Sequence, residues 1–405
     1  MKNYQSLPVK IAATVACFLM LQTLRAQWPE WRGSKRDGNC TETNLLKSWP
    51  ADGPRMIWAS DTLGEGFSSA TIMNNMVFTT GKRDSIEILT ALDLNGKLLW
   101  QTELGKALKA EWPESRCTPT FYKNKLYALV NTGTLACVDS KTGKIEWKSE
   151  ILKTSGGISS FNGFGESPLV VDDKVILSPC GKNTTFVALN STTGQTIWTS
   201  ESVADTNSYV SPVLIEGKGK KLIVSSIQNY VLAAELNTGK ILWKQKVLVN
   251  TVPLPIGNQI YFPSLTGGKV LTIGNDLNSF NFEQKDTMRA TYLGGIVQMG
   301  SKIFGTFENP GKGIYGIDRE TGKLVAYNKE LTSASLLAAD GMIYSYEDRT
   351  GRVCLLKPTE NSIDIISSFK VKQGKGPALA HMSIANGLLF IRHGKYLMAY
   401  DIKQI

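Results

Sequence analysis

The sequence has 405 residues, of which 42% are apolar and 20% charged, and its formal net charge is +10. This balance excludes a disordered chain, a fibrous protein and a small domain stapled by disulfides. With 37 Gly, 15 Pro and 9 Trp, the composition favours many short strands joined by tight turns over long helices.

The first 26 residues have the pattern of a secretory signal peptide. Lys2 and Lys10 precede an apolar stretch, Ile11–Leu21, that is too short to span a bilayer, and Ala26 offers a small residue for cleavage before Gln27. This pattern predicts export, so we expect the mature protein to be periplasmic or secreted. A buried N-terminal helix is the alternative, and it is disfavoured because apolar residues surround the segment on all sides.

The six cysteines give no motif of their own. Lipid attachment at Cys17 is disfavoured because the mature chain would then begin with the apolar run Phe18–Leu21. The remaining five are odd in number and have no close pair, which excludes a fully paired disulfide framework and the usual zinc and haem motifs. We expect each of them to be a small buried residue in a strand: Cys40, Cys117, Cys137, Cys180 and Cys354.

The positive charge is modest and spread along the chain. Without residues 1–26 it falls to about +7. Lys218, Lys220 and Lys221 lie with glycine in one predicted loop tip, which is typical of a solvated hairpin and not of a stripe that follows phosphates. Nucleic acid is therefore not an expected partner, and no further stretch is apolar for long enough to span a membrane.

One phrase recurs through most of the chain. It joins a strand that ends in Asp or Asn to a glycine turn and then to an aromatic residue. Five copies are clear: Ala91–Trp100, Cys137–Trp147, Ala188–Trp198, Ala234–Trp243 and Gly316–Tyr327. The Asp or Asn can bind backbone N–H groups of the turn, and glycine takes a positive φ at low cost.

The spacing of the aromatic residues sets the size of the repeating unit. Successive tryptophans are separated by 42, 47, 51 and 45 residues, the length of four short strands with their turns. We expect the aromatic of each unit to dock against the neighbouring unit while its N–H finds a partner. The expected docking residues are Trp58, Trp100, Trp147, Trp198, Trp243 and Tyr327.

A second element, two alternating strands split by a polar turn, lies upstream of each phrase. Two-residue turns such as Asn74-Asn75, Asp340-Gly341 and Asn386-Gly387 are strong hairpin signals. The element occurs eight times: Ala70–Phe78, Thr118–Tyr127, Ser167–Ile176, Ser211–Ile215, Val252–Tyr261, Gly295–Phe304, Leu336–Tyr344 and Met382–Phe390.

Eight four-stranded units predict an all-β, eight-bladed β-propeller of antiparallel blades, whose closure protects the strand edges. The eighth unit lacks an aromatic strand, and Arg55–Ala59 resembles one, so we expect this N-terminal strand to close the ring. A seven-bladed ring with an extra hairpin is the alternative, because the aromatic slots at Phe282 and Phe369 are degenerate. The expected divisions are residues 1–26, a signal peptide; 27–54, an N-terminal extension; and 55–405, the propeller.

The Ala-x-Asp-x-x-Thr-Gly-Lys-x-x-Trp phrase resembles the tryptophan-docking repeat of the pyrroloquinoline-quinone-like (PQQ-like) β-propeller superfamily. That superfamily includes quinoprotein alcohol dehydrogenases and the propeller lipoprotein of the outer-membrane β-barrel assembly machinery. The run Trp28–Gly33, with Asp37-Gly38 after it, is similar to the start of many secreted bacterial PQQ-like repeat proteins, although Ser34 stands where proline is common.

The resemblance does not by itself imply catalysis. Quinoprotein dehydrogenases are substantially longer, and they carry a disulfide between adjacent cysteines, oxygen ligands for calcium and an Asp base. None of these can be matched to a motif here, so we expect no catalytic residues, no metal site and no cofactor, with PQQ and calcium as the alternative. His381 and His393 are the only histidines, too few for a histidine-rich metal centre.

The residues just before each innermost strand are the best candidates for binding a ligand, because they ring one mouth of the central channel. The repeat alignment places seven there: Glu65, Arg116, Glu166, Tyr209, Asn250, Tyr292 and His381. Both charge signs occur, which suits a polar or zwitterionic molecule or a peptide, although ordinary loop groups would look the same. The loops Phe161–Gly165 and Trp112-Pro113 add aromatic groups nearby.

We therefore expect a monomeric, exported, non-catalytic propeller that binds an envelope protein, a peptide or a small polar ligand. Strand addition at a blade edge is one possible mode of binding. A quinoprotein dehydrogenase and an extracellular carbohydrate-binding propeller are the alternatives.

Overall fold

The computed structural model describes residues 27–157, 160–248, 253–289, 295–307 and 311–404. Over these residues the chain forms eight sheets, each with four antiparallel strands; these four are consecutive in the chain except in the last sheet, which takes its outermost strand from the N-terminal part. One sheet carries a fifth, parallel strand, and the first strand of each repeat is innermost. The predicted eight-bladed propeller is confirmed, and the seven-bladed alternative is wrong. The predicted signal peptide and Cys17 lie outside the described residues.

The first four blades follow the repeat order. Blade 1 contains β3 (Thr71–Met73), β4 (Met76–Arg83), β5 (Ile86–Asp93) and β6 (Leu98–Lys106). Blade 2 contains β7 (Thr120–Tyr122), β8 (Lys125–Leu129), β9 (Thr134–Asp139) and β10 (Ile145–Glu150). Blade 3 contains β11 (Leu169–Val171), β12 (Lys174–Leu177), β13 (Val187–Asn190) and β14 (Thr196–Thr199). Blade 4 contains β15 (Val213–Gly217), β16 (Lys220–Ser226), β17 (Tyr230–Glu235) and β18 (Ile241–Lys246).

The last four blades include two strands from the N-terminal part of the chain. Blade 5 contains β19 (Leu254–Ile256), β20 (Gln259–Phe262), β21 (Lys269–Ile273) and β22 (Phe280–Gln284). Blade 6 contains β23 (Val297–Met299), β24 (Lys302–Phe307), β25 (Gly313–Asp318) and β26 (Leu324–Asn328). Blade 7 contains β27 (Ala334–Ala339), β28 (Met342–Glu347), β29 (Arg352–Pro358) and β30 (Ile363–Lys370), with β1 (Asn39–Cys40) added beside β27. Blade 8 contains β31 (Ser383–Ala385), β32 (Leu388–His393), β33 (Tyr396–Asp401) and β2 (Met56–Ser60).

Helix is almost absent from the residues that the structure describes. The five-residue α1 (Ile151–Ser155) lies between blades 2 and 3 and ends at Gly156, which is left-handed. No helix in the described part of the chain is long and apolar enough to cross a membrane.

The predicted turns join the first two strands of each blade. Asn74 and Asn75 have φ values of 51° and 61°, and Asp340 and Gly341 have 48° and 76°. Two left-handed residues in succession make the turn type whose twist matches that of the flanking strands. The turns therefore fix where each innermost strand ends, at the mouth of the channel opposite the candidate ligand-binding residues.

Blade 8 is assembled from both ends of the chain, as predicted. Strand β2 pairs antiparallel with β33, with Trp58 opposite Ala399. Arg55 and Asp401 form an ion pair of 2.8 Å at the start of the same pairing. The ring is therefore closed by main-chain hydrogen bonds and not only by side-chain packing.

Trp58 and Trp147 each join neighbouring blades through two contacts. Trp58 Nε1 donates to Leu94 O at 2.8 Å, and the Trp58 ring covers Gly96, where φ is +79° and a Cβ would lie 2.5 Å from the indole. Trp147 Nε1 likewise donates to Ser191 O at 3.1 Å, and its ring covers Gly194. Glycine is required here because any side chain would displace the indole.

The contact varies around the ring. Trp198 Nε1 donates to Leu236 O at 3.0 Å, whereas the buried Trp100 Nε1 has no hydrogen-bond partner. Trp243 lies against Phe282 of blade 5 with ring centroids 5.4 Å apart, and Tyr327 is half exposed and stacks on Tyr315.

The apolar core is a series of clusters between neighbouring blades. Between blades 1 and 2, Phe78 and Leu89 pack with Leu126 and Val138, and none of the four is exposed. Full burial of such a side chain contributes about 1.5–3 kcal/mol. The largest cluster joins blades 7, 8 and 1 to the N-terminal extension. The extension is therefore part of the fold.

Candidate functional site

The first part of the N-terminal extension lies along the innermost strands of the central channel. Trp28 forms an antiparallel bridge with Ile72 of β3, and β1 runs parallel to the innermost strand β27. Phe121 of β7 donates its backbone N–H to Pro29 O at 2.8 Å. The segment Trp28–Cys40 thus contacts the innermost strands of blades 1, 2 and 7, and we call it the channel segment.

Two arginines of the channel segment are almost fully buried. Arg36 donates to Ser167 O at 3.1 Å and to Pro212 O at 2.9 Å, and its Nε donates to Glu30 Oε2 at 2.6 Å. Burial raises the pKa of Glu30, whereas the charge of Arg36 opposes that shift. The sequence analysis singled out the motif around these arginines but not their backbone partners.

His381 lies against the channel segment and not at an open mouth. Its Nδ1 is 3.3 Å from Arg32 Nη1, and its ring meets Trp31 edge-on with centroids 5.3 Å apart. Burial lowers the pKa of His381 to about 3, and the positive charge of Arg32 adds to this. The imidazole is therefore neutral at physiological pH and can accept a hydrogen bond from Arg32.

Arg116 ties two loops of one channel mouth together. Its Nη1 donates to Asn162 O and its Nη2 to Trp112 O, both at 2.7 Å. Asn162 N in turn donates to the hydroxyl of Tyr209 at 3.2 Å. These bonds connect the loops that precede the innermost strands of blades 2, 3 and 4.

Three aromatic side chains project from these loops. Trp112 is 41% exposed, Phe161 is 78% exposed and Tyr209 is 40% exposed. We call them the aromatic platform. Exposed aromatic side chains on loops held by main-chain bonds are the groups that most often anchor binding partners. Of the predicted mouth residues, the structure brings Arg116 and Tyr209 together at this place.

Glu166 lies below the surface beside this mouth. It is 2% exposed, and its carboxylate accepts hydrogen bonds from Ser178 N and Ser178 Oγ, both at 2.8 Å. Burial raises its pKa to about 7. Its carboxylate is thus engaged within blade 3 and does not face the channel mouth.

A second buried carboxylate was missed by the sequence analysis. Glu87 of β5 is not exposed, and its Oε1 accepts from Asn131 N at 2.9 Å while Oε2 has no hydrogen-bond partner. Burial raises the pKa of Glu87 to about 7, and the nearby charge of Arg116 lowers it. Its only sequence signal is a charged residue in an otherwise apolar strand.

Glu65 lies apart from the aromatic platform, between blades 8 and 1. Its side chain is exposed, and its backbone pairs with that of Lys82. Beside it, the buried Arg392 donates to Thr79 Oγ1 at 2.6 Å and to Gly64 O at 2.9 Å. Burial lowers the pKa of Arg392 to about 9, and the charge of Glu65 opposes that shift. Asn250 and Tyr292, also predicted at the mouth, lie outside the described residues.

Two clefts open near the other end of the channel, beside the first-turn hairpins. One has a volume of about 430 Å³ and lies between the channel segment and blades 3 to 5, with Lys35 and Glu216 among its lining residues. The other has a volume of about 1210 Å³ and is lined by residues that include Glu42, Asn95 and Lys403. Both are of a size that admits a small molecule and carry both charge signs, which suits a polar ligand.

The described residues do not fit a calcium-bound quinone. They contain no group of three or more His, Cys, Asp and Glu side chains that could hold a metal ion. Five described cysteines carry free thiols, and two buried guanidinium groups occupy the channel interior. We therefore derive no reaction through this cofactor.

The model of the family described as outer membrane protein assembly factor BamB matches residues 41–245 and 85–326, more than half of the chain. The chain is 26% identical over 168 residues to outer membrane protein assembly factor BamB of Salmonella typhimurium. That alignment covers 40% of this chain and 38% of the relative's own length.

Two solved structures show the same fold. The crystal structure of BamB from Moraxella catarrhalis has a TM-score of 0.63 and 14% identity, and the match covers 86% of this chain and 100% of the other. Quinohemoprotein alcohol dehydrogenase from Comamonas testosteroni has a TM-score of 0.70 and 10% identity, and the match covers 94% and 81%. At these identities the likeness concerns the fold alone.

Proposed function

Because this chain belongs to the β-propeller family described as outer membrane protein assembly factor BamB, we propose that it is an exported, non-catalytic scaffold of the cell envelope. In this proposal it binds a protein partner that takes part in outer-membrane protein assembly. Relatives named for outer-membrane protein assembly support this choice of process. The propeller fold supports a scaffold role, because it is a rigid frame with loops from every blade.

The aromatic platform is the observation that carries the binding part of the proposal. Trp112, Phe161 and Tyr209 belong to three successive blades and are all substantially exposed. Aromatic residues are enriched among the few residues that carry most of the energy of an interface. Arg116 and Asn162 already hold these loops in place through hydrogen bonds. Binding of a partner would therefore cost little conformational entropy for ordering the loops.

The test compares variants in the organism that makes the protein. The gene is deleted and replaced by the wild type, by Trp112→Ala/Phe161→Ala or by Ile197→Ala, and the amounts of folded outer-membrane proteins are measured. Ile197 is the matched control because it is 45% exposed on the outermost strand of blade 3. We expect the deletion and the platform variant to lower these amounts and the control to restore them.

A photo-crosslinking residue at position 161 gives the physical counterpart of this test. It should capture an envelope protein, and the same residue at position 197 should not. If folded outer-membrane proteins stay at wild-type amounts in the deletion strain, the proposal is wrong. If the deletion lowers these amounts but the platform variant restores them as the wild type does, the partner binds elsewhere. The blade edges then become the next surface to test.

A quinone-dependent dehydrogenase and a carbohydrate-binding propeller remain the alternatives to be tested. Pyrroloquinoline quinone with calcium should raise the melting temperature and support dye reduction if the first is right. A glycan array tests the second, because aromatic side chains also stack on sugars. We expect neither to give a signal.

A further inference from the structure

We propose that the channel wall of this propeller is a binding site for guanidinium cations, and that the chain's own Arg36 and Arg32 occupy it. The site is distinct from the aromatic platform, and the inference does not depend on the proposed function. Trp28–Cys40 is, on this view, a ligand of the channel that is supplied by the same chain.

The chemistry of the site comes from the innermost strands. Apart from β27, which pairs with β1, each is the edge strand of its sheet, so its channel-facing carbonyl groups have no neighbouring strand to bind. Pro168 and Pro212 stand at the start of β11 and β15, and proline has a carbonyl oxygen but no N–H. This part of the wall therefore offers hydrogen-bond acceptors in excess of donors, which suits a cation with several N–H groups.

Arg36 donates to the carbonyl groups of this wall through two of its three nitrogens. Nη1 donates to Ser167 O and Pro212 O, and Nη2 donates to Pro168 O at 2.6 Å. Nε and Nη2 also meet Glu30, the one carboxylate in contact with it among the described residues. The guanidinium therefore links blades 3 and 4 through three backbone oxygens.

Arg32 makes the same kind of contact on the other side of the channel. It donates through Nη1 to Leu336 O at 3.3 Å and through Nη2 to Ile296 O, which joins blades 7 and 6. Nη2 also donates to Asp37 O at 3.0 Å, and Gly38, with φ of +75°, passes directly against the guanidinium. A side chain at position 38 would collide with Arg32, which explains the glycine of the Asp37-Gly38 pair.

The geometry selects a guanidinium over an ammonium. The acceptors around Arg36 come from the segments just before β11 and β15 and lie at 2.6–3.1 Å from two nitrogens of one planar group. A guanidinium presents five N–H donors in a fixed plane, whereas an ammonium is a compact and strongly hydrated point charge. The site should consequently accept a small guanidinium when Arg36 is removed.

Chemical rescue tests this inference directly. Arg36→Ala should lower the melting temperature by about 5 °C or more, because it removes the arginine donor from Ser167 O, Pro212 O and Glu30, whereas Pro168 O keeps a hydrogen bond from Thr120 Oγ1. Methylguanidinium at about 10 mM should recover at least half of that loss, and methylammonium at the same concentration should not. Lys35→Ala is the matched control, since Lys35 is exposed in the same segment and its variant should be neither destabilised nor rescued.

The double variant Glu30→Gln/Arg36→Ala separates carbonyl recognition from ion pairing. Rescue that persists without the carboxylate assigns the site to the backbone oxygens. If Arg36→Ala melts as the wild type does, or if methylammonium rescues it as well as methylguanidinium does, the inference is wrong.

A measurement on the unaltered protein keeps the test independent of whether Arg36→Ala folds. The backbone N–H groups of Ile72, Phe121 and Ala338 donate to Trp28 O, Pro29 O and Gly38 O at 2.8–2.9 Å. Their hydrogen exchange should be as slow as that of the inner strand pairs, in three different blades. Exchange at the rate of open loops would mean that the channel segment is not seated, and it would overturn the inference.

Discussion

Trp58 Nε1 donates a hydrogen bond to Leu94 O at 2.8 Å, although the two residues belong to blades 8 and 1. The indole also covers Gly96 in the same turn. One aromatic side chain thus contacts both a backbone carbonyl group and the glycine in the turn of the next unit. The repeated spacing of the tryptophans follows from this contact, because the glycine turn of each unit must lie against the indole of the unit before it.

The contact between Trp58 and Gly96 predicts a large effect of one methyl group. Gly96→Ala should lower the free energy of unfolding by about 2–5 kcal/mol, because it adds a Cβ 2.5 Å from the indole at a positive φ. Gly219→Ala is the control: φ is +76° and a Cβ there would meet nothing within 4 Å, so it should cost only about 1 kcal/mol. Urea denaturation of the two variants measures the difference, and equal losses would show that the indole yields without cost.

Removing only the indole N–H should have a smaller effect. Trp58→Phe keeps a ring over Gly96 but loses the bond to Leu94 O, which predicts a loss of about 1 kcal/mol. The same change at Trp100 should cost less, since the Trp100 Nε1 has no hydrogen-bond partner. Denaturation curves for both variants check the order, and a reversed order would contradict it.

The buried Glu166 predicts a pH dependence of stability. Its pKa in the folded protein is about 7, above the ordinary value of 4.5, because burial disfavours the charged form. The folded state therefore binds this proton more tightly, and its contribution is fully present at acid pH and is lost as the pH rises through about 7. The change is of the order of 3 kcal/mol between about pH 4 and pH 8.

Glu166→Gln should remove this component. A neutral amide keeps an acceptor for Ser178 N, and the Ser178 hydroxyl can rotate to accept from the amide. The variant should gain stability relative to the wild type between about pH 5 and pH 8, measured by urea denaturation at both values. Glu216→Gln, at an exposed glutamate, is the control and should leave the difference between the two pH values unchanged.

Arg116 predicts how firmly the aromatic platform is held. Arg116→Met removes both donors, to Asn162 O and to Trp112 O, so the loop that carries Phe161 should open more often. Chymotrypsin cleavage after Phe161 should become about 10-fold faster at low protease concentration. Lys109→Met, a nearby exposed position, should be cut at the wild-type rate, and an unchanged rate for Arg116→Met would mean that other contacts hold the loop.

The thiols should be inert in the folded protein. Cys117, Cys137, Cys180 and Cys354 are buried, and burial raises the pKa of each, to about 11 for Cys137 and Cys354. A disulfide reagent should therefore react slowly with these four at about pH 8 and rapidly after unfolding. Fast reaction of more than one thiol in native protein would contradict the buried positions.

The fold could be predicted because its signals are local. A turn such as Asp340-Gly341, a phrase such as Ala188–Trp198 and the spacing of the tryptophans each act over a few residues, and together they define the unit and its number. The closing strand could also be identified, since Met56–Ser60 supplies what the eighth unit lacks.

The candidate site could be predicted only in part. Repeat alignment placed Arg116 and Tyr209 near each other, but it could not tell that Glu166 turns inward to Ser178 or that His381 meets Arg32. The partners of Arg36 are backbone oxygens, which every residue has, so no pattern of side chains marks them. Contacts of this kind become visible only when distant strands have been brought together.

The pairing of β2 with β33 has a consequence for biosynthesis. Met56–Ser60 is synthesised long before its partner Tyr396–Asp401. A chain that has not yet reached Tyr396 therefore carries the strand Met56–Ser60 without its partner, which favours closure of the ring only after the partner strand has been made.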